Sequence, residues 1–299
     1  MARLSIVVPV YNEEANVPLL VEEIRESLGE GDWELLIVDD GSTDRTRDVA
    51  RSLSRQDPRV RHLRLARNYG QSAAMQAGFD HSRGEVVVTL DGDLQNDPHD
   101  IPTLVAKLEE GYDLVTGYRQ RRRDALLRRK LPSWVANRII RWMTGVKVRD
   151  NGCSLKAYRR ELLRRLRLYS DMHRFIPAMA AGTAGARITE IPVAHRARRY
   201  GKSKYGLGRT WKVALDLITI KMIRSFRDRP LLLFGGAGMS TVGVSLLFLV
   251  ATWWALRSPG VTRVGAYVFP SVAMLLLGLA GFLTLLGLIG EATVRQASR

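Results

Sequence analysis

Residues 85–95 read EVVVTLDGDLQ, and this stretch decides the fold. Its first part, Glu85 to Leu90, is a short β-branched apolar run, which predicts a buried strand. The run ends at two carboxylates one residue apart, Asp91 and Asp93. A buried strand that ends in an acidic loop is typical of an α/β sheet, in which ligands bind beyond the carboxyl ends of the strands.

Two further strands of the same kind lie upstream, at Leu4 to Val10 and Leu35 to Val38. Helical patterns at Val17–Leu28, Thr43–Leu53 and Gln71–Phe79 separate the three strands. Strand and helix therefore alternate, which predicts a doubly wound α/β sheet. The residues expected at the carboxyl edge of this sheet are Tyr11, Asp39, Asp40, Asp91 and Asp93.

The segment Asp91-Gly92-Asp93-Leu94-Gln95 is the sharpest candidate site. Carboxylate oxygens suit Mg²⁺ or Mn²⁺, and such an ion would bridge a diphosphate. Gly92 permits close approach of the backbone. Two carboxylates by themselves leave a plain acidic loop as the alternative, so the neighbouring motifs decide between the two.

Charge is distributed unevenly along the 299 residues, whose net charge is +16. Residues 1–116 hold 12 Lys/Arg and 22 Asp/Glu, whereas residues 117–230 hold 30 and 7. Such asymmetry predicts an anionic partner for the middle of the chain, either nucleic acid, phospholipid or a phosphorylated ligand.

Two uncharged apolar stretches, Leu231–Leu256 and Gly265–Gly290, favour phospholipid. Each is long enough to cross a hydrocarbon core of about 30 Å, and the short loop between them predicts a hairpin. Five arginines flank the outer ends against two in the loop, which puts both termini in the cytosol. We therefore expect a multi-pass protein of the cytoplasmic (inner) membrane without a signal peptide. A pair of buried core helices is the alternative.

The segment before the hairpin, Arg209 to Phe226, is amphipathic with basic flanks, which suits a helix that lies on anionic membrane lipid. A plain surface helix is the alternative. The predicted organisation is a catalytic domain at residues 1–208, an interfacial helix at 209–230, the hairpin at 231–290 and a tail at 291–299.

Four motifs in order resemble the inverting glycosyltransferases of family 2, which have the GT-A (Rossmann-like) fold. They are Val7-Val8-Pro9-Val10-Tyr11-Asn12-Glu13-Glu14, Val38-Asp39-Asp40-Gly41-Ser42-Thr43-Asp44, Arg67-Asn68-Tyr69-Gly70 and Asp91-Gly92-Asp93-Leu94-Gln95. With Arg198-x-x-Gly201-x-Ser203-Lys204 and the membrane segments, the chain is similar to the polyprenyl-phosphate hexose synthases of that family, including the dolichol-phosphate mannose synthases and bacterial undecaprenyl-phosphate glycosyltransferases.

The resemblance implies roles for individual residues. Tyr11 and Glu13 would hold the ribose and Asp40 the base of a UDP- or GDP-linked sugar. The metal, Mg²⁺ or Mn²⁺, would be held by Asp91, Asp93 and Gln95. The other residues implied for the nucleotide sugar are Pro9, Asn12, Arg67, Gly92, Arg198 and Lys204. Those implied for the acceptor phosphate are Arg119, Arg129 and Ser133.

Asp150 stands where relatives keep a catalytic acid, and it would act as a general base for a hydroxyl acceptor. A phosphate monoester is already an anionic nucleophile, so Asp150 would instead orient the acceptor, balance the arginines or form a turn. Asp39 and Asp44 are alternatively caps of the following helix.

The sequence thus predicts an enzyme that transfers a hexose to polyprenyl phosphate with inversion, which gives a β-linked product from an α-linked donor. Two alternatives stay open: a glycosyltransferase acting on a hydroxyl of a glycolipid, and a non-enzymatic basic membrane module. We expect no nucleic-acid partner, and the resemblance leaves a homo-oligomer open.

Overall fold

The computed structural model describes residues 3–119, 148–168, 172–197, 229–257 and 263–297. The chain divides into two compact units, Met1–Ile218 and Thr219–Arg299. The predicted amphipathic helix at Arg209–Phe226 and the boundary between residues 208 and 209 lie outside the described residues.

The first half of the larger unit alternates strand and helix, as predicted. Its elements are β1 (Leu4–Val10), α1 (Val17–Leu28), β2 (Trp33–Asp39), α2 (Thr46–Gln56), β3 (Val60–Arg64), α3 (Gln71–His81) and β4 (Val86–Thr89). These four strands are parallel, with β1 between β2 and β4 and with β3 outside β2. The predicted strands and helices are present, and their bounds shift by a few residues.

Helix α2 shows why one boundary moved. It was expected from Thr43 but begins at Thr46, because the residues before it bond to the neighbouring loop instead. The backbone N–H of Arg45 donates to Glu14 Oε2 at 2.9 Å, and that of Thr43 donates to Asn12 Oδ1 at 2.8 Å.

The second half of the sheet is mixed. It contains a short 3₁₀ helix (Pro98–Asp100), α4 (Ile101–Glu109), β5 (Leu114–Arg119), β6 (Lys156–Arg159), α5 (Arg160–Arg164), a second 3₁₀ helix (Met172–Phe175), α6 (Ile176–Ala184) and β7 (Ile188–Val193). Strand β6 is antiparallel to β4 and β5, while β7 is parallel to β5. Among the described residues the strand order is β3-β2-β1-β4-β6-β5-β7.

The sheet lies between two helical layers because its strands alternate between two buried faces. One face carries Ile6 and Val8 and packs against α1 and α4. The other carries Val7 and Leu36 and packs against α3 and α6. A sheet buried on both faces presents only its edges to ligands, so the loops at the carboxyl ends of β1, β2 and β4 form the natural site.

The smaller unit is a helical hairpin of α7 (Pro230–Arg257) and α8 (Arg263–Ala297). Pro230–Arg257 and Tyr267–Gln296 are long and apolar enough to cross a membrane, and most of their surface is exposed. Small residues bring the two helices together: Ser245 Oγ donates to the carbonyl of Ala273 at 2.8 Å, and a Cβ on Gly238 would lie 3.0 Å from the carbonyl of Ala280. Both predicted apolar stretches are therefore helical and paired.

Candidate active site

The loops that follow β1 and β2 are bonded to each other. Asn12 has a left-handed backbone (φ 54°), its N–H donates to Ser42 Oγ at 2.9 Å, and its Oδ1 accepts from the Thr43 N–H at 2.8 Å. The Glu13 N–H donates to Thr46 Oγ1 at 2.8 Å. Asn12 and Glu13 therefore stabilise the rim of the site. Nucleotide contacts by these two residues stay predictions. The same holds for the predicted nucleotide contacts of Pro9, which lies within β1, and of Tyr11, which directly follows β1.

Asp40 joins the second motif to the third. Its Oδ1 accepts from the Tyr69 N–H at 2.8 Å and its Oδ2 from the Gly70 N–H at 2.9 Å. Burial raises the pKa of Asp40, as does the neighbouring Asp39, while these two hydrogen bonds oppose the rise. The side chain expected to bind the base thus also shapes the Arg67–Gly70 loop, where the Arg67 guanidinium lies 5.0 Å from the Tyr69 ring centre.

Gly41 makes this junction possible. Its φ is +69°, and a Cβ there would lie 2.5 Å from the backbone carbon of Arg67. Only glycine adopts this positive φ readily and also lacks the Cβ that would clash with Arg67. Asp39, beside it, accepts from the Ser42 N–H at 2.8 Å, and Asp44 accepts from the Thr46 N–H at 3.0 Å. The N-cap position of α2 is Arg45, so both acids stabilise the loop before the helix and neither occupies the cap position considered for them.

The Asp91–Gln95 loop follows β4 and is held under strain. Leu94 has a φ of +60°, which is unfavourable for a bulky residue, yet its side chain is 2 % exposed in the core. A Cβ on Gly92 would lie 2.7 Å from Val10 Cγ1, so this glycine lets the loop pack on β1. Burial of Leu94 thereby fixes the backbone between Asp93 and Gln95.

The two carboxylates of this loop interact unfavourably in the free protein. Desolvation of Asp91, followed by the charge of Asp93, raises the pKa of Asp91 to about 6. Asp91 Oδ1 also accepts from Gln71 Nε2 at 2.7 Å, and Asp93 Oδ1 accepts from the Gln95 N–H at 3.1 Å. A divalent cation would relieve this repulsion, and the oxygen donors suit Mg²⁺ or Mn²⁺. The described residues contain no group of three or more His, Cys, Asp or Glu placed to bind a metal.

Contacts from both sides hold this loop in place. The Arg196 N–H donates to the Gln95 carbonyl at 2.8 Å, and Asn96 Nδ2 donates to Ser154 Oγ at 2.8 Å. The Arg196 guanidinium pairs with Asp97 and with Glu23 of α1. Segments far apart in sequence therefore position the two carboxylates.

Asp150 is paired with Arg119. Asp150 Oδ2 accepts from Arg119 Nε at 2.6 Å and Oδ1 from Nη2 at 2.9 Å, and both side chains are 13 % exposed. The Gly152 N–H donates to Asp150 Oδ1 at 3.1 Å. A carboxylate held bidentately by a guanidinium is a poor proton acceptor, so the geometry favours positioning over general-base action.

Two buried basic residues were missed by the sequence interpretation. Lys156, on β6, is 3 % exposed, and burial lowers its pKa. His173, in the second 3₁₀ helix, is 8 % exposed, and its Nδ1 lies 2.9 Å from Ser72 Oγ. The signal available in the sequence was a lysine within an apolar run, between Leu155 and Ala157. The expected site residues Arg129, Ser133, Arg198 and Lys204 lie outside the described residues.

Comparisons with known proteins agree with this geometry. The model of "Glycosyl transferase family 2" matches residues 5–167. A dodecaprenyl-phosphate galacturonate synthase of Rhizobium johnstonii is 47 % identical over 252 residues, which cover 83 % of this chain and 75 % of the relative. An undecaprenyl-phosphate 4-deoxy-4-formamido-L-arabinose transferase of Salmonella paratyphi B is 38 % identical over 297 residues, which cover 97 % of this chain and 87 % of the relative.

Solved structures show the same fold. Glucosyl-3-phosphoglycerate synthase from Mycobacterium tuberculosis, in complex with Mn²⁺, UDP and phosphoglyceric acid, has a TM-score of 0.59 at 22 % identity, and the match covers 75 % of this chain and 78 % of that one. The same enzyme with Mg²⁺ and UDP has a TM-score of 0.56 at 23 % identity, with 75 % and 79 % covered. From the family match and the two curated relatives, the chain belongs to glycosyltransferase family 2, in the branch whose members act on polyprenyl phosphates.

Proposed function

We propose that this glycosyltransferase transfers a sugar from a UDP-linked donor to polyprenyl phosphate in one inverting displacement at the cytosolic face of the membrane. The acceptor class is that of both curated relatives. The choice of UDP is supported by the structural neighbours, which were crystallised with UDP. One displacement inverts the anomeric centre, so an α-linked donor gives a β-linked lipid product.

The observation that carries the proposal is the pairing of Asp150 with Arg119. A hydroxyl acceptor must lose a proton during attack, so its enzyme needs a carboxylate that can accept one. A phosphate monoester is already anionic and needs no such base. Because both oxygens of Asp150 accept hydrogen bonds from a guanidinium, this site suits the phosphate acceptor better than the glycolipid hydroxyl.

The residues of the site have distinct parts in this reaction. Asp91 and Asp93, with Gln95, would hold Mg²⁺ or Mn²⁺, which supplies charge stabilisation to the departing nucleoside diphosphate when bound. Asp40 and the Arg67–Gly70 loop that it shapes would bind the nucleotide. Arg119, oriented by Asp150, would bind the acceptor phosphate, because a guanidinium recognises phosphate oxygens by geometry as well as charge.

The helical hairpin would anchor the enzyme in the membrane that contains its lipid substrate. Exposed apolar side chains cover both α7 and α8, as expected for contact with hydrocarbon. The excess of arginine outside the hairpin supports cytosolic termini and a multi-pass protein of the inner membrane. The excess of basic residues in the segment 117–230 would favour binding to anionic lipid.

The test uses the purified full-length protein in detergent with undecaprenyl phosphate, Mg²⁺ or Mn²⁺ and a panel of UDP- and GDP-linked sugars. We expect a lipid-linked monophosphate sugar by mass spectrometry, lost in chelator and reduced at least about 100-fold in Asp93→Asn. Asp80→Asn, which removes an exposed carboxylate on α3, serves as the matched control. Turnover undiminished by chelator and by Asp93→Asn would contradict the proposal, as would faster turnover of a phosphate-free glycolipid acceptor.

A further inference from the structure

Gln71, the first residue of α3, contacts one of the two carboxylates of the Asp91–Gln95 loop. Its Nε2 donates to Asp91 Oδ1 at 2.7 Å, although the two residues are 20 apart in sequence. The hydrogen bond therefore joins two different elements, the start of a helix and the loop that follows β4. Neither the residues expected to bind the nucleotide nor those expected to bind the metal include Gln71.

The backbone is fixed on both sides of Gln71. Before it, Gly70 has a φ of +95°, and its N–H donates to Asp40 Oδ2 at 2.9 Å. After it, Ser72 is buried, and its Oγ accepts the backbone N–H of His173 at 3.1 Å. The side chain of Gln71 therefore extends from a backbone that cannot shift without breaking these contacts.

A glutamine amide suits a contact with a metal-binding carboxylate. An ionised carboxylate has about four lone-pair sites, and one amide N–H occupies one of them, so Asp91 keeps the others for a metal ion. The amide is neutral, and it therefore orients the carboxylate without cancelling the charge that attracts a divalent cation. A lysine or arginine in the same place would also donate to the carboxylate, but its charge would repel the metal ion.

The contact also links two parts of the donor site. Asp40, which we expect to bind the base, is bonded to Gly70, and the carboxylate of Asp91 is bonded to the next residue, Gln71. A nucleoside diphosphate has to reach both regions at once, with its base at one and its metal-bound diphosphate at the other. Loss of a hydrogen bond that orients a metal ligand typically costs about 10- to 100-fold in metal affinity.

We infer that Gln71 is a positioning residue for the metal site, which holds the Asp91 carboxylate in the orientation that binds Mg²⁺ or Mn²⁺ together with the donor diphosphate. It acts through Asp91, so its effect falls on metal affinity and not on the binding of polyprenyl phosphate. The inference rests on the proposed function, since it assumes that Asp91 binds the metal.

The test measures Mn²⁺ affinity directly, so that it does not depend on sugar transfer. The full-length protein in detergent is titrated with Mn²⁺ in the presence of one equivalent of UDP, and free Mn²⁺ is followed by electron paramagnetic resonance. Asp91→Asn supplies the background of Mn²⁺ that UDP binds by itself.

Two variants of Gln71 and one control are compared in this titration. Gln71→Met keeps the length of the side chain and removes the amide donor, and we expect it to raise the Kd for Mn²⁺ by about 10- to 100-fold. Gln71→Lys, which adds a cation beside Asp91, should weaken Mn²⁺ binding at least as much. Gln56→Met, at the exposed end of α2, is the matched control and should leave the Kd unchanged.

Turnover gives a second readout. In Gln71→Met, the Mn²⁺ concentration that gives half-maximal turnover should rise by the same factor as the Kd, and excess Mn²⁺ should restore most of kcat. The KM for undecaprenyl phosphate should stay within about twofold of the wild-type value. A role confined to stability would instead lower the Tm and leave the Kd for Mn²⁺ unchanged.

Three results would overturn the inference. One is an unchanged Kd for Mn²⁺ in Gln71→Met, or in Gln71→Lys where Gln71→Met fails to fold. A second is a Kd for UDP in chelator that rises as much as the Kd for Mn²⁺, which would assign Gln71 to nucleotide binding. A third is Mn²⁺ binding by the wild type that does not exceed that of Asp91→Asn, which would remove the metal site itself. If Mn²⁺ binds but no sugar is transferred, the proposed function fails, and the change in Kd still decides the role of Gln71.

Discussion

Replacing Asp150 with asparagine removes the charge that orients Arg119 and leaves the size of the side chain unchanged. The native carboxylate accepts from Arg119 Nε at 2.6 Å and from Nη2 at 2.9 Å. Asparagine offers one oxygen and one amide group, and the amide N–H groups would face guanidinium N–H groups. One hydrogen bond is therefore lost, and the other loses its charge assistance.

The size of the effect follows from these contacts. A hydrogen bond to a charged group contributes roughly 1.5–3 kcal/mol, and breaking a fully buried ion pair costs about 3–5 kcal/mol. Because Asp150 and Arg119 each retain 13 % exposure, we expect Asp150→Asn to lower the free energy of unfolding by about 2–3 kcal/mol. For a unit of this size, that loss corresponds to a drop in Tm of about 4–12 °C.

The pH dependence of kcat distinguishes positioning from general-base action. If Asp150 positions Arg119, the variant should lose about tenfold in kcat/KM for polyprenyl phosphate and keep the shape of its pH–rate profile. Glu190→Gln, which removes the carboxylate paired with the more exposed Arg149, is the control and should change turnover little. A fall of about 1,000-fold or more in kcat, together with loss of the acidic limb of the profile, would refute this reasoning and restore Asp150 as a base.

Three further outcomes are expected. Gly41→Ala should lower stability by about 2–4 kcal/mol, because it adds a strained φ and a clash with Arg67, and a denaturant midpoint equal to wild type would contradict this. Leu94→Gly should be more stable than Leu94→Ala by about 1 kcal/mol, because the φ of residue 94 is +60°, which glycine adopts more readily than alanine. At positions with ordinary negative φ, the alanine variant would be the more stable one. Thermal melts of the two variants test this prediction, and a higher Tm for Leu94→Ala would contradict it. Burial opposes ionisation of Glu34, but hydrogen bonds from Ser5, Arg61 and the Arg83 N–H lower its pKa below 4.5. The Glu34 carboxylate therefore contributes its full stabilisation above about pH 4.5, and this stabilisation is lost as the pH falls through the lowered pKa. The free energy of unfolding of the wild type should exceed that of Glu34→Gln at neutral pH, and the difference should shrink in acid. A difference that is constant with pH would show the assignment to be wrong.

The sequence alone determined the features that depend on local patterns. Apolar runs at Leu4–Val10 and Glu85–Leu90 identify buried strands, since strands enclosed on both faces are continuously apolar. The uncharged stretches from Leu231 onward identify the hairpin helices for a different reason, since their length and lack of charge suit contact with membrane hydrocarbon. Three of the four motifs place acids at strand ends, and the structure confirms that β1, β2 and β4 lie side by side.

Tertiary structure decided the features that depend on contacts between distant segments. Strand β6 is antiparallel to β4 and contains Lys156, so neither its pairing nor its burial follows from a local period. The bonds between Asp150 and Arg119 join residues 31 apart, and those between His173 and Ser72 join residues 101 apart. Whether a carboxylate is a base or a positioning group, and whether a lysine is on the surface or in a cavity, depends on desolvation and on which partner lies within hydrogen-bond distance. Those quantities exist only once the chain has folded.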